Sequence, residues 1–209
     1  PSDINATYVF TFPTLTVSIS ILGSRGSLWA YPALLDHTET REWITDVIKA
    51  RASETRSVVR EIPRLTWDYK FLFKTVRELN NASSRAKAST HSKIGLPIWS
   101  NATQVVLIEA STYTIEFDTT THELQLLDTV VIWSSYEVYE LVIVESFTDT
   151  SITLQFPVSN TFVRAYIMKV SFGFVPDGIT FKEDSNHTAS ASLSLVSTNN
   201  YVEELWPTE

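Results

Sequence analysis

The sequence predicts a mainly β protein: a β-sandwich-like domain with one α-helix, interrupted by a small β-barrel of SH3 or OB type. Three observations predict it. Apolar residues recur at every second position over Thr14–Ile21 and Leu65–Phe73, the period of a strand with one buried face. Only Thr75–Ala88 combines a helical start signal with helix-forming residues. Brief β segments separated by turns then crowd Thr103–Met168, the spacing of a small barrel. The expected division is a β domain whose first part is 1–99, an inserted barrel at 100–168, and closing strands with a C-terminal segment at 169–209.

Ala6–Phe12 and Leu15–Leu22 read as strands, the second with Leu15, Val17, Ile19 and Ile21 on one face. Gly23-Ser-Arg-Gly26 is a turn, and Leu28–Pro32 leads into a loop. Trp43–Lys49 fits helical spacing, yet it lacks strong helix formers; strand is the preferred assignment, with helix left open. Ser57–Ile62 and Leu65–Phe73 are strands joined at Pro63-Arg64. In the second, Leu65, Trp67, Tyr69, Phe71 and Phe73 share a face. Thr75 and Glu78 form a capping box, and Ser89–His91 ends the helix. Ile94–Trp99 is at best an edge strand, because Pro97 has no N–H to donate. The barrel strands are expected at Gln104–Ile108, Tyr113–Phe117, Thr129–Trp133, Val138–Glu145, Ser151–Phe156 and Phe162–Met168. Val170–Val175 and Ala189–Val196 then resume the first pattern. The acidic, Trp-containing segment Asn199–Glu209 suits docking on a neighbour.

Charge is unevenly placed. Twelve of the sixteen Lys and Arg residues lie between Arg41 and Lys93, against six acids, for a net +6; the whole chain is −8. Ile94–Val163 has no base, whereas nine acids run from Glu109 to Asp149. An acidic whole argues against stable nucleic-acid binding. The basic stretch suits an acidic protein surface, such as that of another copy. Apolar runs such as Val138–Val144 are broken by charge and too short to insert in a membrane. No signal peptide is recognised, and the Pro-Ser start fits removal of an initiator Met. There is no Cys, so stability is expected from burial or assembly, and no thiolate metal site exists. The sequons at Asn5, Asn81, Asn101 and Asn186 are expected to be coincidental in a Ser/Thr-rich chain.

Catalytic signatures are sparse. His37, His91, His122 and His187 stand alone, without metal-ligand spacing, and His122 follows Thr119-Thr-Thr in an expected turn. Asp36-His37 lacks a nucleophile elbow to complete a triad. Glu137 with Glu140, or Glu116 with Asp118, has the composition of a glycosidase pair, but alternating strands place such residues on solvated faces. Gly is scarce, and no phosphate-cradling loop occurs. Trp67, Tyr69 and Trp133 sit at core-phase positions; Tyr136 and Tyr139 remain for a carbohydrate-binding face. The sequence therefore predicts a non-enzyme without catalytic, cofactor or metal residues.

One constellation stands out: Trp43-Ile-Thr-Asp-Val47, then Glu54-Thr-Arg56, then Pro63-Arg64 leading into the aromatic strand. Glu54 and Arg56 share a side of an extended backbone, and Arg60 and Arg64 follow in phase. This order, followed by a helix, Gly95-Leu-Pro-Ile-Trp99 and a barrel insertion, resembles tail proteins of tailed bacteriophages, most of all the distal tail or baseplate-hub class. The likeness covers about residues 40–100 and, more weakly, 165–197. It departs at Ala52-Ser53, where a Gly commonly precedes the Glu. The resemblance implies a structural virion protein, assembled in the host cytoplasm, that forms a homo-oligomeric ring (a hexamer) linking the tail tube to baseplate or fibre proteins. Glu54, Arg56, Arg60 and Arg64 are then the candidate intersubunit residues. A carbohydrate-binding β module of a receptor-binding apparatus is the alternative.

Overall fold

A computed structural model describes residues 3–12, 16–24, 27–43, 45–50, 53–58, 63–89, 92–183 and 188–198, with backbone alone at 3–8, 16–24, 35, 45–50 and 53–58. In chain order the strands are β1 (Asp3–Thr11), β2 (Thr16–Ser24), β3 (Ser27–Leu28), β4 (Ala33–Glu42), β5 (Thr45–Ala50), β6 (Ser53–Val58) and β7 (Arg64–Phe73). After helix α1 (Val76–Ala88) come β8 (Ile94–Pro97), β9 (Thr103–Ile108), β10 (Thr114–Glu116), β11 (Thr129–Trp133) and β12 (Tyr139–Thr148). β13 (Ser151–Leu154), β14 (Phe162–Phe174), β15 (Ile179–Glu183) and β16 (Ala189–Ser197) complete the set. The fold is mainly β and sandwich-like, as predicted. β1–β2 and β5–β6 are separate antiparallel ribbons; the other twelve strands share one sheet, antiparallel except for β3 beside β8.

The aromatic strand behaves as its alternation requires. Trp67, Tyr69, Phe71 and Phe73 of β7 are buried, whereas Asp68, Lys70 and Leu72 face out. Opposite them, β16 sets Leu195 and Leu193 against Trp67 and Tyr69, and Ala191 and Ala189 against Phe71 and Phe73. Small residues opposite large ones let this face pack to interior density. α1 starts at Thr75, whose hydroxyl accepts the Glu78 N–H at 3.2 Å. The Glu78 carboxylate reaches one residue further back than a capping box requires, accepting the Lys74 N–H at 2.8 Å. Ser89 closes the helix by donating its own N–H and hydroxyl to the carbonyls of Arg85 and Ala86.

Three expectations need correction. β8 is no edge: it lies between β3 and β14 with all four residues buried. Pro97 is tolerated because it ends the strand, and the next residue resumes the ladder through Ile98 N–H to Lys169 O. The loop expected after Pro32 is a ten-residue strand, β4, paired to β7 with a bulge between Ala33 and His37. The inserted sheet is not a closed barrel. Its strands run β9-β14-β11-β12-β13-β10, and the end strands do not pair with each other. The segment after β13 fills the opening: Ser111 N–H donates to Val158 O, Val158 N–H to Thr112 O, and Ala110 N–H to the Thr161 hydroxyl. The 43–49 segment, left open above, contributes strand β5.

Two cores result. One holds Trp29, Tyr31, the β7 aromatics, Leu96 and the inner face of β16, with α1 packed through Leu79, Ala82 and Ala86. The other is lined from all six strands of the inserted sheet, including Ile108, Ile115, Ile132, Val144, Ile152 and Ile167. A smaller cluster of Leu28, Ala30, Val131, Met168 and Val170 lies between them. β14 serves both halves, with Phe162–Ile167 beside β9 and Val170–Gly173 beside β8. It therefore runs straight through residue 168, where the sequence places a boundary.

At the far end of β14, a methyl group on Gly173 would lie 2.1 Å from the Val196 carbonyl oxygen of β16. Gly173→Ala is therefore expected to lower stability in urea unfolding by about 2 kcal/mol, the cost of overpacking. An unchanged midpoint would mean that β14 and β16 do not approach this closely.

Candidate functional site

Of the predicted intersubunit residues, Arg64 lies where the β4–β7 ladder runs out. Arg64 opens β7, exposed, with Glu42 opposite in register. Glu54 and Arg56 lie on β6, opposite Lys49 and Val47 of β5, and are described by backbone only. Arg60 lies outside the described residues, as does Asn199–Glu209. β5 and β6 follow β4 and precede β7 in the chain, so Glu54 and Arg56 lie in the connection between the two strands whose ladder ends at Arg64.

Next to this end the halves part. On one side of β14, β11 pairs as far as Lys169, and β16 joins at Gly173. Between them opens a cleft of about 250 Å³, lined by Pro63, Leu65 and Trp67 from one half and His122, Glu123 and Gln125 from the other. Arg41 crosses it, reaching the Glu123 carboxylate at 3.5 Å while also bonding Glu39. Lys169 bridges beneath, 2.7 Å from the Asp128 carboxylate and donating to the Glu123 carbonyl at 2.8 Å. The Lys169 and Asp128 side chains are largely buried, and Asp128 also accepts the Gln125 N–H at 2.6 Å, so this pair is well satisfied.

His122 was not legible as a buried residue. Its backbone does form the expected turn, donating to Thr119 O, and Asp118 accepts from the hydroxyl and N–H of Thr120. Those bonds hold the Asp118 carboxyl below its usual range. The His122 ring points inward, fully buried, edge-on to Phe117 at 5.1 Å with Nε2 3.4 Å from the Ile167 carbonyl oxygen. Burial lowers its pKa, while the Ile167 carbonyl and Asp118 oppose the shift. A neutral imidazole without an orienting carboxylate bond is a packing group here.

The other chemical candidates are engaged elsewhere. His37 stacks on Tyr69, and Asp36 pairs with Lys70. Glu137 accepts from Arg77 at 2.7 Å, whereas Glu140 accepts the N–H groups of Ser159 and Asn160. Tyr136 stacks on Tyr31, and the Arg85 guanidinium lies over Tyr139 and Tyr31. One face of each proposed sugar-binding ring is thus occupied. Burial pushes Tyr69 and Tyr31 up to about 12, which leaves both neutral. Among the described residues, no three His, Cys, Asp or Glu side chains converge to hold a metal.

No protein-family model matches the sequence, and the search of curated proteins returns no match.

Arg41–Glu123, Arg77–Glu137 and Arg85 over Tyr139 all join the basic stretch to the base-free one within a single chain. Sequence reasoning missed these contacts because the partners are far apart along the chain. What they achieve is docking of the two halves on each other.

The His122 contribution has a definite pH dependence. The fold keeps the ring neutral, so its stabilisation is complete above the ordinary His pKa of about 6.5 and is lost as pH falls below that value. The thermal midpoint should therefore fall between pH 7.5 and 5, and fall less steeply in His122→Gln. Parallel declines in both proteins would exclude His122 as the source.

Proposed function

We propose that the protein is a structural virion component: a subunit of a homo-oligomeric ring at the distal end of a phage tail, linking the tail tube to baseplate or fibre proteins. The observation that carries this is the β1–β2 ribbon. Its two nine-residue strands pair along their whole length, and among the described residues they join no other strand. One register row is apolar, with Phe10 opposite Val17, Tyr8 opposite Ile19 and Ala6 opposite Ile21; the next row is largely Ser, Thr and Asn. Val9, Phe10 and Phe12 are exposed. A two-stranded ribbon is marginal alone in water, so an amphipathic one of this length calls for a surface to cover it.

The β5–β6 ribbon, which carries Glu54 and Arg56, supports the same reading from the Arg64 end of the sheet. Basic residues along such an edge suit carboxylates on an adjacent copy. Ring growth requires a head-to-tail interface, in which two different surfaces of one chain meet. No feature of the cleft or of the engaged tyrosines favours the carbohydrate-binding alternative over assembly.

Light scattering with negative-stain imaging tests the proposal. The purified chain is expected to form annular particles of several protomers. Arg56→Glu, or removal of residues 1–26, is expected to give smaller species with an unchanged β circular-dichroism signature. A strict monomer at high concentration, with no rings alone or with tail-tube protein, would overturn it.

A further inference from the structure

β14 and its neighbour β9 break the alternation of a regular strand at the same level. Phe162 and Ala165 both face the inserted core, as do Ile108 and Val105 opposite them, so two residues separate the inward ones instead of one. Val163 pairs with Leu107 and Ala165 with Val105, and the ladder skips Arg164 and Val106 between them. Arg164 takes up the extra residue at φ 55°, the left-handed region that a side chain with a Cβ adopts only at a cost. The result is four outward side chains in one patch: Val106 at 75% exposure, Val163 at 63%, Leu107 and Arg164. Among the described residues, no carboxylate pairs with the Arg164 guanidinium.

The strand beside this patch is an open edge. Among the described residues β9 pairs with β14 alone, and Thr103–Ile108 contains neither a charge nor a Pro. Edges are usually blunted by one or the other, because unpaired N–H and C=O groups template another strand. An unblunted edge beside three apolar side chains and a free cation suits an added strand that carries apolar residues and a carboxylate. The chain encodes such a strand. Asn199–Glu209, outside the described residues, has three Glu and no base. Its stretch Tyr201–Trp206 has the six-residue length of β9, with Pro207 following as a strand breaker. On an extended backbone both of its rows read apolar, acid, apolar: Tyr201, Glu203, Leu205 and Val202, Glu204, Trp206.

This segment is too short to lay its acids along the β9 edge of its own chain. Thr198 bonds the Phe172 carbonyl on the β16 side of β14, eight residues from Arg164. Those eight residues of strand span roughly 26 Å, and β14 and β9 must then be crossed as well. Glu204 lies six residues past Thr198, at most about 22 Å away. We infer that residues 201–206 of one copy add as a strand to the open edge of β9 in the next copy, with Glu203 or Glu204 on Arg164. The contact joins two different surfaces of identical chains, so it is heterologous and propagates around a ring. It rests on the assembly reading above and supplies it with one specific interface.

Charge reversal tests the contact in the full chain. Glu203→Arg with Glu204→Arg is expected to weaken self-association about tenfold or more, as like charges at an interface do, and adding Arg164→Glu should restore it. A fluorescent peptide of residues 199–209 should bind the chain carrying the two Glu→Arg changes, and about tenfold more weakly once Arg164→Gly is added. Arg164→Gly also relieves the positive φ, so it should unfold no earlier than wild type. The chain has no Cys, so a Leu107→Cys, Leu205→Cys double variant is expected to oxidise cleanly to disulfide-linked multimers. A monomer closed by an internal disulfide would seat the segment on its own β9 and overturn the proposal. Rings that withstand the Glu→Arg changes, or peptide binding indifferent to Arg164→Gly, would also overturn it and leave the ring reading standing. A wild type that never assembles would overturn both.

Discussion

The continuity of β14 is the constraint on which the rest of the structure depends. One thirteen-residue strand lies beside β9 and β11 at its start and beside β8 and β16 at its end. Its inward residues change core along the way: Phe162, Ala165 and Ile167 belong to the inserted sheet, whereas Met168 and Val170 belong to the cluster between the halves. A strand cannot bend freely between two such sets of partners. The angle between the halves is therefore set by backbone hydrogen bonds, not by a linker. The cleft follows from the same geometry, since β11 and β16 approach one side of β14 at different levels and leave a gap between Lys169 and Gly173.

Charge segregation acquires a different meaning beside this seam. The base-rich and base-free stretches invite a search for an acidic neighbour. Part of the answer lies inside the chain, where Arg41, Arg77 and Arg85 reach across to Glu123, Glu137 and Tyr139. The first two pairs are exposed and contribute little stability each, but they fix which faces meet. Arg85 is better placed: it donates to Leu28 O at 3.1 Å and lies over two tyrosine rings.

Much of this fold was legible because burial repeats at the period of the backbone. β7, β11 and β16 announce themselves by alternation or by compact apolar runs, and α1 by its cap. The polar strand β4 did not, because Asp36-His-Thr-Glu-Thr-Arg-Glu42 shows no apolar face; its pairing to β7 is imposed by the neighbour. Pro97 suggested an edge, since a missing donor cannot be placed on a strand whose end is unknown. Closure of the inserted barrel failed for a similar reason. Whether β9 meets β10 depends on Ser111, Thr112 and Val158, which carry no pattern. At the site, the basic edge was visible as composition. The burial of His122 was not, because loop residues reveal their direction only through tertiary contacts.

The pairing of β7 with β16 also sets the order in which this protein can become itself during synthesis. Trp67, Tyr69, Phe71 and Phe73 leave the ribosome early, but the Leu193 and Leu195 that cover them emerge only after the entire inserted sheet. At ordinary elongation rates that interval is on the order of ten seconds. Throughout it, one face of the most aromatic strand in the chain waits without its partner, while the inserted sheet has nearly all its own strands at hand. The inserted half is thus positioned to fold first and to deliver, on the far end of β14, the scaffold against which the waiting strand is finally closed.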